Sequence, residues 1–358
     1  MNLGISILDR YIGRAVLGGT LLVMLVLVGL NLFFGFVNQV NDIGKGSFGL
    51  SEAIQYALLT LPRRTYEMFS MAALLGSLLG LGQMASHSEL VVMRAAGVSL
   101  FKIIRAVLQA GVILVVIASL LGEVVAPPME QKAQHLRALT LDQRITFQGD
   151  QGFWARDGHS FINIREILPG NRIQNIRIYE FDAQHRLRSS TYAETATYKD
   201  DRWLLNDIHK SEIDVDGVET QSFAHAEWAS LLSADLLSVV IVKPEILSVW
   251  DLASFIRYQR DNGLESAPYE LAFWSKVTLP LSSLVMVLLS IPFVFGSLRD
   301  SGASQRMFVG IMIGIAFYLI NKTLNHLSLV YGIDPLLSAT LPSIVFLAVG
   351  AWAISRIR

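Results

Sequence analysis

Four cations stand where long apolar runs meet polar residues: Arg63, Arg64, Lys276 and Lys322. Arginine can grip a phosphate through two parallel hydrogen bonds, and lysine presents a compact point charge. Cations gathered at one depth of a lipid layer are therefore suited to anionic headgroups. Arg63 and Arg64 stand at the outer end of a second apolar span, Lys276 about one turn into a fourth, and Lys322 at the close of a fifth. Glu67 and Glu123 lie at similar depth, where they can brace the cations or limit their summed charge. Two readings are open: each cation snorkels separately to ordinary headgroups, or the four form a ring that meets one phosphorylated lipid.

Covalent chemistry finds no such support. The nearest approach to a P-loop is Gly44-Lys45-Gly46, but Gln39 occupies the place of the first glycine and Gly46 that of the Ser or Thr. Neither HExxH nor GxSxG occurs. The histidines, at 87, 135, 159, 185, 209, 225 and 326, lack metal-ligand spacing. Cysteine is absent, which removes disulfides, thiol catalysis and cysteine metal sites together. The expectation is no catalytic residue, no cofactor and no metal. A net charge of −1 with no basic tail gives no sign of nucleic-acid binding.

The elements that must position the cations are membrane helices. Charged residues make up 16% of the 358, against about 25% in soluble domains, and the mean hydropathy is +0.46. Six apolar runs suit bilayer crossing: Ala15–Val37, Thr65–Gly82, Ala106–Val125, Phe273–Phe295, Met307–Ile320 and Pro335–Ile354. Asp9, Arg10 and Arg14 precede a first run too long for the apolar core of a cleaved signal. Ala53–Leu61 reads as a short interfacial helix interrupted by Pro62-Arg63-Arg64, and Pro127-Pro128 as the end of the third span. Lys and Arg are commoner in the loops on the side of the termini, which places both termini in the cytoplasm.

Between the second and third spans lies Gln83–Phe101, a linker with a helical pattern rather than a loop pattern. Ser86 or Ser88 can act as N-cap, Glu89 sits in the first turn, and Gly97 is a natural stop. Residues 86–97, with Ser88, Glu89, Leu90, Val92, Met93 and Arg94, form either a helix resting on lipid or a plug for a soluble partner's groove.

Residues 128–247 differ from the rest. Period-two alternation replaces helical periodicity, with Ile162 and Ile164, then Ile176 and Ile178, on one side of their strands. Turn signals at Asp157-Gly158, Pro169-Gly170-Asn171, Asp200-Asp201 and Asp216-Gly217 divide seven or eight short strands, spaced as in a sandwich or jelly roll. The four isoleucines are the expected inner face of a groove. Ala133–Leu141 reads as a helix leading in, and Ser248–Asn262 as one leading out, capped by Ser248 with Asp251. The fold expected is an α-helical polytopic membrane protein with an inserted all-β domain: residues 1–127, 128–247 and 248–358.

The segments LDRYIGR at 8–14, MAALLGSLLGLG at 71–82, SELVVMRAAG at 88–97, GEVVAP at 122–127 and WSK at 274–276 resemble the LptF/LptG family. These are transmembrane subunits of the lipopolysaccharide exporter, and the resemblance runs the whole chain in order. It implies an inner-membrane permease with a periplasmic jelly roll. The implied partners are an LptF-like sister permease, an LptB-like ATPase dimer that supplies hydrolysis, an LptC-like anchored subunit and an LptA-like bridge protein. The 86–97 helix would be the coupling helix in the ATPase groove, and the cation ring would meet the phosphates of lipid A. The family pattern also places basic residues at the outer end of the first span. Here that stretch, Phe36 to Asp42, has only Lys45 nearby. Two other classes remain for comparison: an ATPase-coupled envelope sensor that moves no lipid, and a membrane enzyme acting on lipid-linked sugars. The second would need in-membrane acids beyond Glu67 and Glu123.

Overall fold

The structure, a computed structural model, describes residues 6–140, 145–146, 153–157, 159–168, 172–182, 184, 186–199, 202–214, 217–228, 244–295 and 303–357. The chain divides into two compact units: Met1–Ile43, Ala53–Ala133 and Ala267–Arg358 make one, and Gly44–Glu52 with Gln134–Ser266 the other.

The first unit is helical. Helix α1 (Ile7–Val40) opens with a reciprocal cap: Asp9 N donates to Ser6 Oγ at 3.2 Å, and Ser6 N donates to Asp9 Oδ2 at 3.0 Å. Helix α2 (Leu50–Glu67) precedes α3 (Phe69–Ser86), and a short α4 (Glu89–Ala95) leads to α5 (Leu100–Leu120). A π-helical turn, Leu121–Val125, joins α5 to α6 (Ala126–Thr140). After the insertion, α7 (Val249–Asp261) is followed by α8 (Ala267–Phe295), α9 (Ala303–Tyr331) and α10 (Pro335–Ser355). Among the described residues, six helical segments are long and apolar enough to cross a membrane: Ile7–Val40, Phe69–Ser86, Leu100–Arg137, Ala267–Phe295, Met307–Tyr331 and Pro335–Ser355.

Helices α1 and α3 approach until their backbones touch. A Cβ added at Gly76 would overlap the Thr20 backbone, and one at Gly80 would overlap the Ala15 carbonyl. Without a hydrophobic drive between helices in lipid, such close contact through small residues is what holds them together. Around this seam, Ile12, Leu74, Leu78, Leu81, Ile103 and Val107 are buried in one core.

Two sequence expectations need correction here. Pro62 does not interrupt α2, which runs on through Arg63 and Arg64 to Glu67, and the break falls at Met68. Nor do Pro127 and Pro128 end the third span. They lie in the first turn of α6, just past the π turn. In that turn Ala126 N donates to the Leu121 carbonyl. The next donor in the series would be residue 127, and proline has none. The Gly122 carbonyl left over accepts from Lys276 Nζ at 3.3 Å, so the chain stays helical.

The second unit carries one antiparallel sheet: β1 (Ile145–Thr146), β2 (Phe153–Asp157), β3 (Ser160–Leu168), β4 (Arg172–Phe181), β5 (Leu187–Lys199), β6 (Arg202–Asp214) and β7 (Gly217–Trp228). Its order is β1-β3-β4-β5-β6-β7, with β2 also on β3. β1 and β2 share one edge of β3, pairing with Ile167–Glu166 and with 160–164 respectively. From β3 to β7 the described strands form a meander of sequence neighbours, and the jelly-roll order is not among the pairings they make. The expected turns at Gly158, 169–171, 200–201 and Asp216 lie outside the described residues. The β4–β5 turn, absent from the expected set, is built by Asp182, whose Oδ1 accepts from the backbone N–H groups of Gln184 and Arg186.

Inner-face burial does not keep period two. It steps by three from Ile173 to Ile176, from Ala193 to Ala196 and from Leu205 to Ile208. The steps align in the register, where Ile176 faces Ala193 and Ala193 faces Ile208. Asn175 and Asp207, inside two of those steps, have left-handed φ of 56° and 53°. This row is where the strands reverse which residues point inward. It lets one meander close over Trp203, Ile162 and Ile164.

Candidate functional site

Three of the four cations come together at the end of the helical unit away from α4, each with internal partners. Arg63 on α2 pairs with Glu67 one turn on, and its Nε lies 3.1 Å from Glu130 Oε2 on α6. Burial works against the Arg63 charge, but the Glu67 and Glu130 carboxylates outweigh it and hold the guanidinium above its ordinary pKa. Arg64 turns to α1, where its Nη1 donates to Asn31 Oδ1 at 2.8 Å and to the Asn31 carbonyl at 3.3 Å. Its Nε donates to Thr60 Oγ1 at 3.1 Å. Gly35 makes room, since a Cβ there would overlap the guanidinium. Among the described residues Arg64 therefore meets neutral acceptors and no carboxylate.

Lys276 lies well inside α8 rather than one turn from its start, and is only 8% exposed. Besides the Gly122 carbonyl, its Nζ has Glu123 Oε1 at 3.4 Å. Tyr66 closes the cluster. Its hydroxyl donates to the Lys276 carbonyl at 2.9 Å, and its ring lies where a Cβ on Gly122 would be. Lys322 stands apart, exposed on α9 about 14 Å before that helix ends. It has no carboxylate partner among the described residues. Glu67 and Glu123 do brace cations; Glu130, Tyr66 and Asn31 are partners the sequence reading missed. Pro127 was the available signal, because a proline following an apolar run strands a carbonyl that something must satisfy.

At the other end, α4 is shorter than the expected 86–97. Ser88 precedes it with φ of 59° and no side-chain capping bond, while Ser86 Oγ donates backward to the Gly82 carbonyl. Neither serine caps the helix. Gly97, at φ +86°, closes it, with Val98 N donating to the Met93 carbonyl at 3.0 Å. Leu90 is 2% exposed and Met93 packs against the same core, so both face their own chain. Val92, 65% exposed, and Val91, which the expected set of coupling residues leaves out, face outward with Arg94. Glu89 accepts a hydrogen bond from the Tyr11 hydroxyl at 2.8 Å.

In the sheet, Ile162 faces Ile178 and Ile164 faces Ile176, and all four are buried with Trp203. β7, at the far edge, is exposed along nearly its whole length.

Among the described residues, six helices fit to cross a membrane, an inserted antiparallel sheet and a helix between the second and third spans define a multi-pass membrane protein with an inserted domain. The sequence profile "Lipopolysaccharide export system permease LptF/LptG" matches residues 10–356. The chain belongs to this family of lipopolysaccharide export permeases. It is 38% identical over 356 residues, 99% of each chain, to the lipopolysaccharide export system permease protein LptG of Haemophilus influenzae. It is 36% identical over 357 residues, 98% of each chain, to the protein of that name from Escherichia coli K12.

Proposed function

We propose that this chain is the LptG-type half of a paired permease that lifts lipopolysaccharide from the outer leaflet of the inner membrane and passes it to a periplasmic protein bridge. The other half is an LptF-like permease, with an LptB-like ATPase dimer in the cytoplasm and LptC-like and LptA-like proteins continuing the path. The observation that carries this reading is α4, which presents Val91 and Val92 between two membrane spans. A seven-residue helix is too short to stand alone in water, so an outward apolar pair on it favours a partner's groove.

In this reading both termini and residues 86–97 are cytoplasmic, and the β insertion, residues 128–247, is periplasmic. Among the described residues, no carboxylate pairs with Arg64 or Lys322, so of the four cations these two are the ones left for lipid phosphate. Arg63 and Lys276 fix the helices around them. Among the described residues β7 pairs with β6 alone, so its outer edge suits addition of another chain's strand, and the isoleucine face is the apolar side a lipid or partner would touch if the sheet opened.

Two measurements test the proposal together. Because the chain has no cysteine, a single Gln184→Cys gives clean side-specific labelling, and a tagged chain solubilised mildly from its own membrane reports its partners. The expected result is periplasmic labelling with co-purification of an ATPase and a second six-span subunit. Labelling from the cytoplasmic side alone, or a chain that purifies without an ATPase, would overturn it.

A further inference from the structure

The Tyr11–Glu89 hydrogen bond joins two elements that are 78 residues apart. Tyr11 lies in the first turns of α1, and Glu89 is the first residue of α4. Leu90 anchors the start of α4 in the core, and the Tyr11 hydroxyl holds its first side chain, where Ser88, left-handed, supplies no side-chain cap. A carboxylate offers about four acceptor positions. One hydroxyl therefore orients it and leaves room for a cation from a partner.

Tyr11 also stands at one end of an unbroken helix. From Tyr11 to Asn31 is about 30 Å at 1.5 Å per residue, roughly the thickness of the hydrocarbon layer. Asn31 holds the Arg64 guanidinium through both its carbonyl and its side chain. The three links, Glu89 to Tyr11, Tyr11 to Asn31 along α1, and Asn31 to Arg64, run from the ATPase-facing helix to a cation that no carboxylate pairs with among the described residues.

We propose that Tyr11 is a positioning residue: it ties the coupling helix to α1, so that movement of α4 in the ATPase groove shifts Asn31 and Arg64 across the bilayer. This rests on the coupling role given to α4 above. The Tyr11 hydroxyl acts through Glu89 alone.

The test compares Tyr11→Phe, Glu89→Gln and the double variant in the whole co-purified complex, reconstituted in proteoliposomes with lipopolysaccharide. Lipid released per ATP hydrolysed is the readout, with the KM for ATP and complex yield measured alongside. Tyr11→Phe is expected to lower lipid per ATP by roughly tenfold, the scale of a hydrogen bond to a charged group, with yield and KM unchanged. The double variant should be only slightly worse than Glu89→Gln alone, because the neutral amide oxygen accepts a much weaker hydrogen bond from the hydroxyl than the carboxylate does. A merely structural Tyr11 would lower yield and hydrolysis together and spare the ratio, which would overturn the proposal. Normal coupling in Tyr11→Phe with impaired coupling in Glu89→Gln would overturn this inference and leave the coupling helix standing. Normal assembly and coupling in Glu89→Gln would overturn the role of α4 itself.

Discussion

Reversing the charge at Lys276 separates a cation that holds the bundle from one that holds lipid. Its ammonium lies 3.3 Å from the Gly122 carbonyl and 3.4 Å from Glu123 Oε1, with only 8% of the residue exposed. Lys276→Glu removes the donor Gly122 needs in place of Pro127 and puts two carboxylates side by side. Breaking a buried ion pair costs about 3–5 kcal/mol. Glu123 is a quarter exposed, which favours the lower end, about 3 kcal/mol. Lys322→Glu, on an exposed face without an ion-pair partner among the described residues, should alter stability by no more than about 0.5 kcal/mol. The assay is thermal unfolding of the detergent-solubilised complex beside photo-crosslinking of lipopolysaccharide. Lys276→Glu should melt clearly earlier, and the swap Lys276→Glu with Glu123→Lys should recover much of the loss. Lys322→Glu should melt as wild type yet capture less lipid. A Lys276→Glu protein as stable as wild type, or a swap that recovers nothing, would refute the argument that this pair is structural.

The outward and inward sides of α4 should respond differently. Val92→Asp is expected to release the ATPase from a stably inserted chain, read by co-purification. Leu90→Ala should instead cost the chain about 2–5 kcal/mol, read by its own melting. At the α1–α3 seam, Gly76→Val drives a side chain into the Thr20 backbone, so the helices must separate. Its melting point should fall well below that of Gly18→Val, where nothing lies within 4 Å of the added Cβ.

Much of the architecture was legible in the residues alone. Uncharged runs of bilayer length mark the spans, because a helix that satisfies its own backbone needs only apolar side chains to sit in lipid. Ser248 with Asp251 announced α7, whose reciprocal cap is local chemistry within four residues. Glu89 and Gly97 marked the linker helix for the same reason. The alternation of Ile162 with Ile164 and of Ile176 with Ile178 placed the inner face correctly on β3 and the second half of β4.

What the tertiary structure decided was partnership. Arg63, Lys276 and Glu89 looked like free ends of chemistry in the sequence. Their fates depend on Glu130, Gly122 and Tyr11, which lie tens to hundreds of residues away and share no local pattern with them. Period two failed to predict Ile173 beside Ile176, because the inward face reverses at a row of left-handed residues that only neighbouring strands align. Helix α2 likewise ran through Pro62 against local preference. Local sequence sets which segments are helix, strand or cap through interactions a few residues long. Which charge meets which partner depends on how helices pack and strands align, and contacts across the fold carry that information.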